Sequence, residues 1–240
     1  MRKRLIFILL FLLPFIGRAQ EPESLEYELR YKLGAMKTKV ANATMTLELS
    51  EWQEQPAYLS VVKIRVAPVF RLFMRAEYMA GLYLSNPGME SVYNFSQTGK
   101  DYTYCYYGKG ERGIHFERHP KGRKQGEHFF FDNDGRTFEL LSMLWYIRRF
   151  DFDQTETLDL KAFFTGTIMD CQVRRTGKDS EKYPGHTADC IQVDLLGRGL
   201  MENGSGNQVL VWRDTEGTRP ILGLEISLGK GTLFCNITNL

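Results

Sequence analysis

The chain has 240 residues, 43% of them hydrophobic and 13% aromatic, with 31 basic residues against 29 acidic ones. The basic excess sits in the first 19 residues: without Arg2, Lys3, Arg4 and Arg18 the balance becomes 27 to 29, a formal net charge of −2. Overall charge therefore lends no support to nucleic-acid or membrane-surface binding. The remaining length suits one β-rich domain of roughly 200–250 residues, large enough to bury a core without staples.

The first stretch reads as an export signal. Arg2 to Arg4 form a charged lead, Leu5 to Ile16 an apolar run, and Gly17-Arg18-Ala19 a small-residue cleavage site ahead of Gln20. The run is short for a bilayer span and contains Pro14. No later segment is long enough to cross a membrane, and no cysteine stands near the cleavage site to carry a lipid anchor. Residues 1–19 are thus expected to be a secretory signal peptide, leaving 20–240 as a single soluble β-rich domain.

From Tyr27 the pattern is that of half-buried strands. Tyr27, Leu29, Tyr31 and Leu33 alternate with Glu28, Arg30 and Lys32; after Gly34, Ala41 to Leu49 alternates again, and Tyr58 to Val66 makes a third strand. Val69 to Tyr78, rich in Leu, Met and Ala, leans towards a short helix. Regular turn signals then mark a meander: strands over Ser91–Gln97, Tyr102–Tyr107, Gly113–Arg118 and His128–Phe131, separated by Gly-containing turns. Thr137 to Phe150 is the one convincing internal helix. Asp134-Gly135 or Thr137 would cap its start, and Arg148-Arg149 suit the negative end of its dipole. Its apolar residues leave almost no polar face, so other elements must cover it. Strands follow over Leu158–Phe164, Ile168–Arg175, His186–Leu196, Gln208–Arg213, Pro220–Leu228 and Thr232–Thr238. The expected fold is α+β, mostly β: a curved antiparallel sheet or half-barrel wrapped over one central helix.

Four stretches resemble an uncharacterised exported bacterial family, domain of unknown function 3108. They are Tyr31-Lys32-Leu33-Gly34 through Ala43-Thr44-Met45-Thr46-Leu47, then Arg75-Ala76-Glu77-Tyr78, then Leu141-Ser142-Met143-Leu144-Trp145-Tyr146-Ile147-Arg148, and finally Trp212-Arg213-Asp214 through Arg219-Pro220-Ile221, ending near Gly231-Thr232-Leu233. The resemblance implies a periplasmic antiparallel half-barrel with helix against its concave face, similar in outline to envelope lipoprotein carriers. It implies no activity.

Chemistry-bearing residues are sparse in pattern. Cys105, Cys171, Cys190 and Cys235 show no metal-like spacing, and strand parity sets Cys171 and Cys190 on opposite faces unless a bulge intervenes. Gly204-Ser205-Gly206 lacks the strand and helix of a nucleophile elbow. Asp132-Asn133-Asp134-Gly135 is too short for a calcium loop and reads as the entry to the helix. Asp151, Asp153 and Glu156 read as a solvated acidic cluster. Lys109 to His128 holds six basic residues and three histidines. His115 and His119 would share a helical face, but Gly113 and Pro120 oppose a helix, so no metal site is expected. The loop is read as solvated, with Lys121, Arg123 and Lys124 the candidate patch for an anionic partner. Tyr102, Tyr104 and Tyr106 share one strand face, expected to pack on the helix.

The expectation is an exported, periplasmic, non-enzymatic envelope protein holding a lipid or other apolar ligand between sheet and helix. Leu140, Leu144 and Ile147 form the candidate cavity stripe, with Trp145 and Leu141 packed and Leu144 nearer the opening. The alternative is an envelope interaction module with a filled core, and a hydrolase is the remoter third. No cofactor and no nucleic-acid partner are expected.

Overall fold

Alternation governs the walls. In β1 (Glu23–Leu33), Leu25, Tyr27 and Leu29 are buried while Glu26 and Glu28 point the other way, as a period of two residues requires. β1 is followed by β2 (Met36–Trp52), β3 (Gln55–Val66), β4 (Glu77–Ser85), β5 (Ser91–Thr98), β6 (Asp101–Tyr107), β7 (Gly110–His119) and β8 (Glu127–Asn133). The short β9 (Thr137–Glu139) leads into the helix α1 (Leu140–Arg149). Then come β10 (Thr157–Phe164), β11 (Thr167–Asp179), β12 (Ala188–Leu196), β13 (Gln208–Asp214), β14 (Ile221–Leu228) and β15 (Gly231–Ile237). The computed structural model describes residues 22–72, 77–86, 89–98, 100–108, 110–134, 137–164, 166–179, 181–196 and 208–239. The expected signal peptide, Arg75-Ala76, Gly135 and Gly204-Ser205-Gly206 lie outside them.

Among the described residues, fifteen strands form one sheet in the order β8 to β1, then β15 to β9. Two meanders thus run outward from the pair β1–β15, which sits between the two ends of the chain; Glu26 N–H donates to Asn239 Oδ1 at 2.6 Å. Every pairing is antiparallel except β9–β10, which is parallel. No ladder joins β8 to β9. The sheet nevertheless curls until its two ends meet through side chains: Cys105, Ile114 and Phe116 of β6–β7 pack with Phe163 of β10 and Ile168 of β11. The result is a nearly closed, barrel-like sheet.

The helix fills the interior between opposite walls. Leu141 and Trp145 pack with the side chains of β1 to β4; Met143 and Ile147 pack with those of β10 to β14. Trp145 is 1% exposed and Ile147 0%, as a helix apolar nearly all round demands. Buried polar groups pin it. The Trp145 indole N–H donates to Ser60 Oγ at 2.8 Å, and Arg148 donates to Thr218 O at 2.8 Å and to Glu23 at 2.7 Å.

Three local expectations are corrected. The helix starts at Leu140, not Thr137, because Thr137 to Glu139 pair with Lys161 to Phe163 of β10; the cap is Glu139, whose carboxylate accepts from Leu141 N–H at 2.7 Å. Among the described residues of Val69–Tyr78 there is only a 3-10 turn at Pro68–Phe70, and strand β4 begins at Glu77. Sheet pairing with β3 there outweighs the Leu/Met/Ala propensity. The Tyr102, Tyr104 and Tyr106 face is the outer one, because the inward positions of β6 belong to Cys105 and Tyr107. No helix among the described residues is long and apolar enough to cross a membrane.

Candidate functional site

The joint between β9 and α1 is built from short side chains. Glu139 N–H donates to Ser91 Oγ at 3.1 Å, Ser91 Oγ–H donates to Ser142 Oγ at 2.7 Å, and Ser142 Oγ–H donates to Glu139 O at 2.8 Å. This relay satisfies buried hydroxyls and orphan groups of the first helical turn. It also ties β9 to β5 across the barrel and holds the helix start short of the β5–β7 wall.

The space left there is a cleft of ≈ 270 Å³. Leu82 and Phe116 form one wall, Phe163 and Phe164 another, and Leu141 and Glu139 supply the helix end. Asn94, Ser96 and Thr103 add amide and hydroxyl groups. Beside it Asn94 Nδ2–H donates to the Tyr107 hydroxyl at 3.0 Å, and Tyr107 meets Phe163 edge to face at 6.0 Å. In the β4 wall Gly81 lets the Phe95 ring lie over the backbone; an added Cβ would lie 2.2 Å from the end of that ring and push it aside.

Electrostatics make the cleft an environment for neutral groups. Burial raises the Glu139 carboxyl from 4.5 to about 7, against the opposing pull of the Leu141, Ser142 and Leu140 N–H groups. Burial likewise pushes the Cys105 thiol up to about 12 and the Tyr107 phenol well above its usual value. Neither is a ready nucleophile. A carboxyl that holds its proton more tightly when folded stabilises the fold most below its unfolded value of 4.5. That stability is lost as pH rises towards 7. Glu139 keeps some solvent contact, so the loss should be at most about 3 kcal/mol. Urea melts at about pH 5 and about pH 8 should show it, and Glu139→Gln should flatten the difference.

The sequence-predicted stripe lies elsewhere. Leu140 and Leu144 are half-buried and Ile147 is fully buried. Leu144 and Ile147 pack against the β10–β14 wall, and none of the three lines the cleft. The reason is rotational: Leu144 and Ile147 turn towards the close-packed wall, while Leu141 turns towards the gap. Trp145 is packed, as expected, but Leu141, buried as it is, borders the opening in place of Leu144. Lys121, Arg123 and Lys124 sit exposed in the β7–β8 turn. Lys121 N–H donates to Asp101 at 2.6 Å and its side chain rims a second hollow of ≈ 320 Å³ with Arg118, while Arg123 is engaged by Glu127. A third hollow, ≈ 810 Å³, lies on the outer face of β1–β3 among charged and hydroxyl side chains such as Glu26, Glu28, Lys63 and Arg65.

Two functional candidates escaped the sequence reading. Glu139 stood in plain view before the apolar run, but glutamate is an uncommon N-cap. Arg213, in β13, donates to Ile147 O at 3.0 Å and Phe150 O at 2.6 Å, capping the helix C-terminus, and to Asp189 at 2.6 Å. Only its place in the Trp212-Arg213-Asp214 stretch signalled it. The four cysteines are free thiols, and the β11–β12 ladder does carry a bulge between Arg175 and Gly177.

A solved structure with a similar fold is the crystal structure of a beta-barrel-like protein of domain of unknown function DUF1849 from Brucella abortus. It has 8% sequence identity and a TM-score of 0.50, covering 91% of this chain and 96% of that one. At that identity the likeness concerns the fold alone. Comparison with curated proteins finds no match. Residues 26–236 match the family described as protein of unknown function DUF3108, spanning all four stretches that carried the resemblance. The chain belongs to that family.

Proposed function

We propose that this protein is exported to the cell envelope, with the periplasm its site of action, and that it works without catalysis by holding the end of an apolar ligand, a lipid or acyl chain, inside the barrel. The observation that carries this reading is the ≈ 270 Å³ cleft at the helix N-terminus, walled by Leu82, Phe116, Leu141, Phe163 and Phe164. An apolar cavity of roughly 150 Å³ already accepts benzene, so this one has room for a short stretch of chain. Its titratable lining residue, Glu139, is tied up as the helix cap, and burial raises its carboxyl to about 7, so that a substantial share of it is neutral near that pH, which suits an apolar guest. A hydrolytic role is disfavoured by the same facts, because a base engaged as a cap beside a thiol pushed up to about 12 makes a poor nucleophilic pair.

The test is uptake of a fluorescent fatty acid by the purified protein, with mass spectrometry of lipid extracted from it. Ala80 lines the cleft. Ala80→Trp should fill it and abolish uptake while far-ultraviolet circular dichroism stays unchanged. Absence of probe binding and of extractable lipid in the unsubstituted protein would sink the reading. A second reading, a surface interaction module with a filled core, is favoured by the outer aromatic face. There Trp52, Tyr83, Tyr93, Tyr106 and His115 stack from β2 to β7, with Tyr102, Tyr106 and Phe130 exposed. Exposed contiguous aromatic surface marks interaction sites. Pull-down by an envelope partner that Tyr106→Ala abolishes, with no ligand in the cleft, would decide for it.

A further inference from the structure

Strand parity assembles a second constellation on the outer face of β7 and β8. His115, Glu117 and His119 occupy alternate positions of β7 and therefore share one face. In the ladder with β8, Glu117 stands directly opposite His128 and His115 opposite Phe130. His128 is thus the diagonal neighbour of His115, close enough for long side chains to meet. They do meet: His115 Nε2 and His128 Nδ1 are 3.2 Å apart, and the donor atoms of His115, Glu117 and His128 all lie within 4.8 Å of one another.

We propose that His115, Glu117 and His128 form a binding site for a borderline divalent cation of the zinc type. Two imidazoles and a carboxylate are the donor set such an ion takes, and three protein ligands leave its fourth position open to water or to a group on another molecule. The spacing fits. Two nitrogens at about 2.0–2.1 Å from a tetrahedral Zn²⁺ stand about 3.3–3.4 Å apart, and the two imidazole nitrogens are already at 3.2 Å. The ligands are also held in place. The His115 ring is stacked on Phe130 at 4.6 Å and on Tyr106 at 5.8 Å. Glu117 is gripped through Oε1 by the His119 ring, itself stacked on Tyr102 at 4.5 Å, which leaves Oε2 for the ion. An outer partner of this kind orients a metal-binding carboxylate and raises its affinity. His115 and Glu117 are half-buried and His128 is exposed, so an ion can enter from solvent and the ligands pay little desolvation.

The experiment is Zn²⁺ titration by calorimetry on the full chain, stripped with EDTA and carrying no histidine tag. Expected is one Zn²⁺ per chain with a dissociation constant tighter than about 10 μM. His115→Asn combined with His128→Asn should abolish binding, and His119→Asn, which removes only the outer partner, should weaken it about 10–100-fold. His186→Asn, at a histidine that pairs with Asp214 far from this face, should change nothing. Co²⁺ should give the visible absorption of a tetrahedral site in the unsubstituted protein and not in the double variant. None of these positions is fully buried, so the ion-free variants should still fold, with thermal melts close to the parent's; His186→Asn, which loses the contact to buried Asp214, serves as the folded control. No binding at that affinity, or binding that survives the double substitution in a folded protein, would overturn the site.

Discussion

Arg213→Met should destabilise the protein by about 3–5 kcal/mol, because removing one partner of a buried ion pair leaves the other charge uncompensated. Arg213 is 3% exposed and Asp189 2%, and their contact is 2.6 Å. The same guanidinium also serves the carbonyls of Ile147 and Phe150, which a helix end cannot satisfy internally. Arg213→Lys keeps the charge but replaces a planar fork by a single point donor, so it should recover only part of the loss. Asp189→Asn with Arg213→Met should cost less than the two single losses summed, since each variant removes what made the other costly. Equilibrium unfolding in urea measures the two arginine variants, Asp189→Asn alone and the double variant. A loss below about 1 kcal/mol for Arg213→Met would mean that solvent reaches the helix end and replaces the arginine.

Trp145→Ala should cost a comparable amount, about 3–5 kcal/mol, by lost transfer energy and the cavity left behind. Trp145 packs against the β1–β4 wall with its indole N–H on Ser60, itself fully buried. Trp145→Phe would keep much of the ring yet strand the serine hydroxyl, for about 1–3 kcal/mol. Leu144→Ala should fall at or below the low end of the roughly 2–5 kcal/mol of a close-packed leucine, because half-buried Leu144 has less to lose. If Leu144→Ala proved as damaging as Trp145→Ala, the rotational setting of α1 described above would be wrong. Neither change reaches the cleft wall, so a stably folded Leu144→Ala protein should take up the fatty-acid probe as its parent does.

The barrel wall and its helix were legible because each rests on a local period. Tyr27 and Leu29 against Glu26 and Glu28 declare a half-buried strand wherever it is paired, and the apolar surround of Trp145 declares a covered helix. Boundaries were less legible: Thr137 to Glu139 reads as a first helical turn until β10 offers them a ladder, and Glu77 and Tyr78 read as helical until β3 does. The site was legible only in its parts. Leu141 and Glu139 adjoin the predicted stripe, but a helix apolar on nearly every side carries no signal of which turn faces the opening.

The histidines make the same point from the other side. A helical spacing test discards His115 and His119 as a metal pair. Reading the segment as strand places His115, Glu117 and His119 on one face at once, without showing what lies opposite.

By itself, then, the sequence determined which side chains alternate together along strands such as β1, that one helix must be enclosed, and to which family the chain belongs; on β6 it did not say which of the two faces goes inward. Those properties follow from near-neighbour geometry and from short motifs. Tertiary structure alone decided that Arg213 closes the end of a helix more than 60 residues earlier in the chain, that the gap falls at Glu139, and that His128 meets His115. Each of these depends on long-range register, where a slip of a single residue would send every side chain of a strand to the opposite face of the barrel.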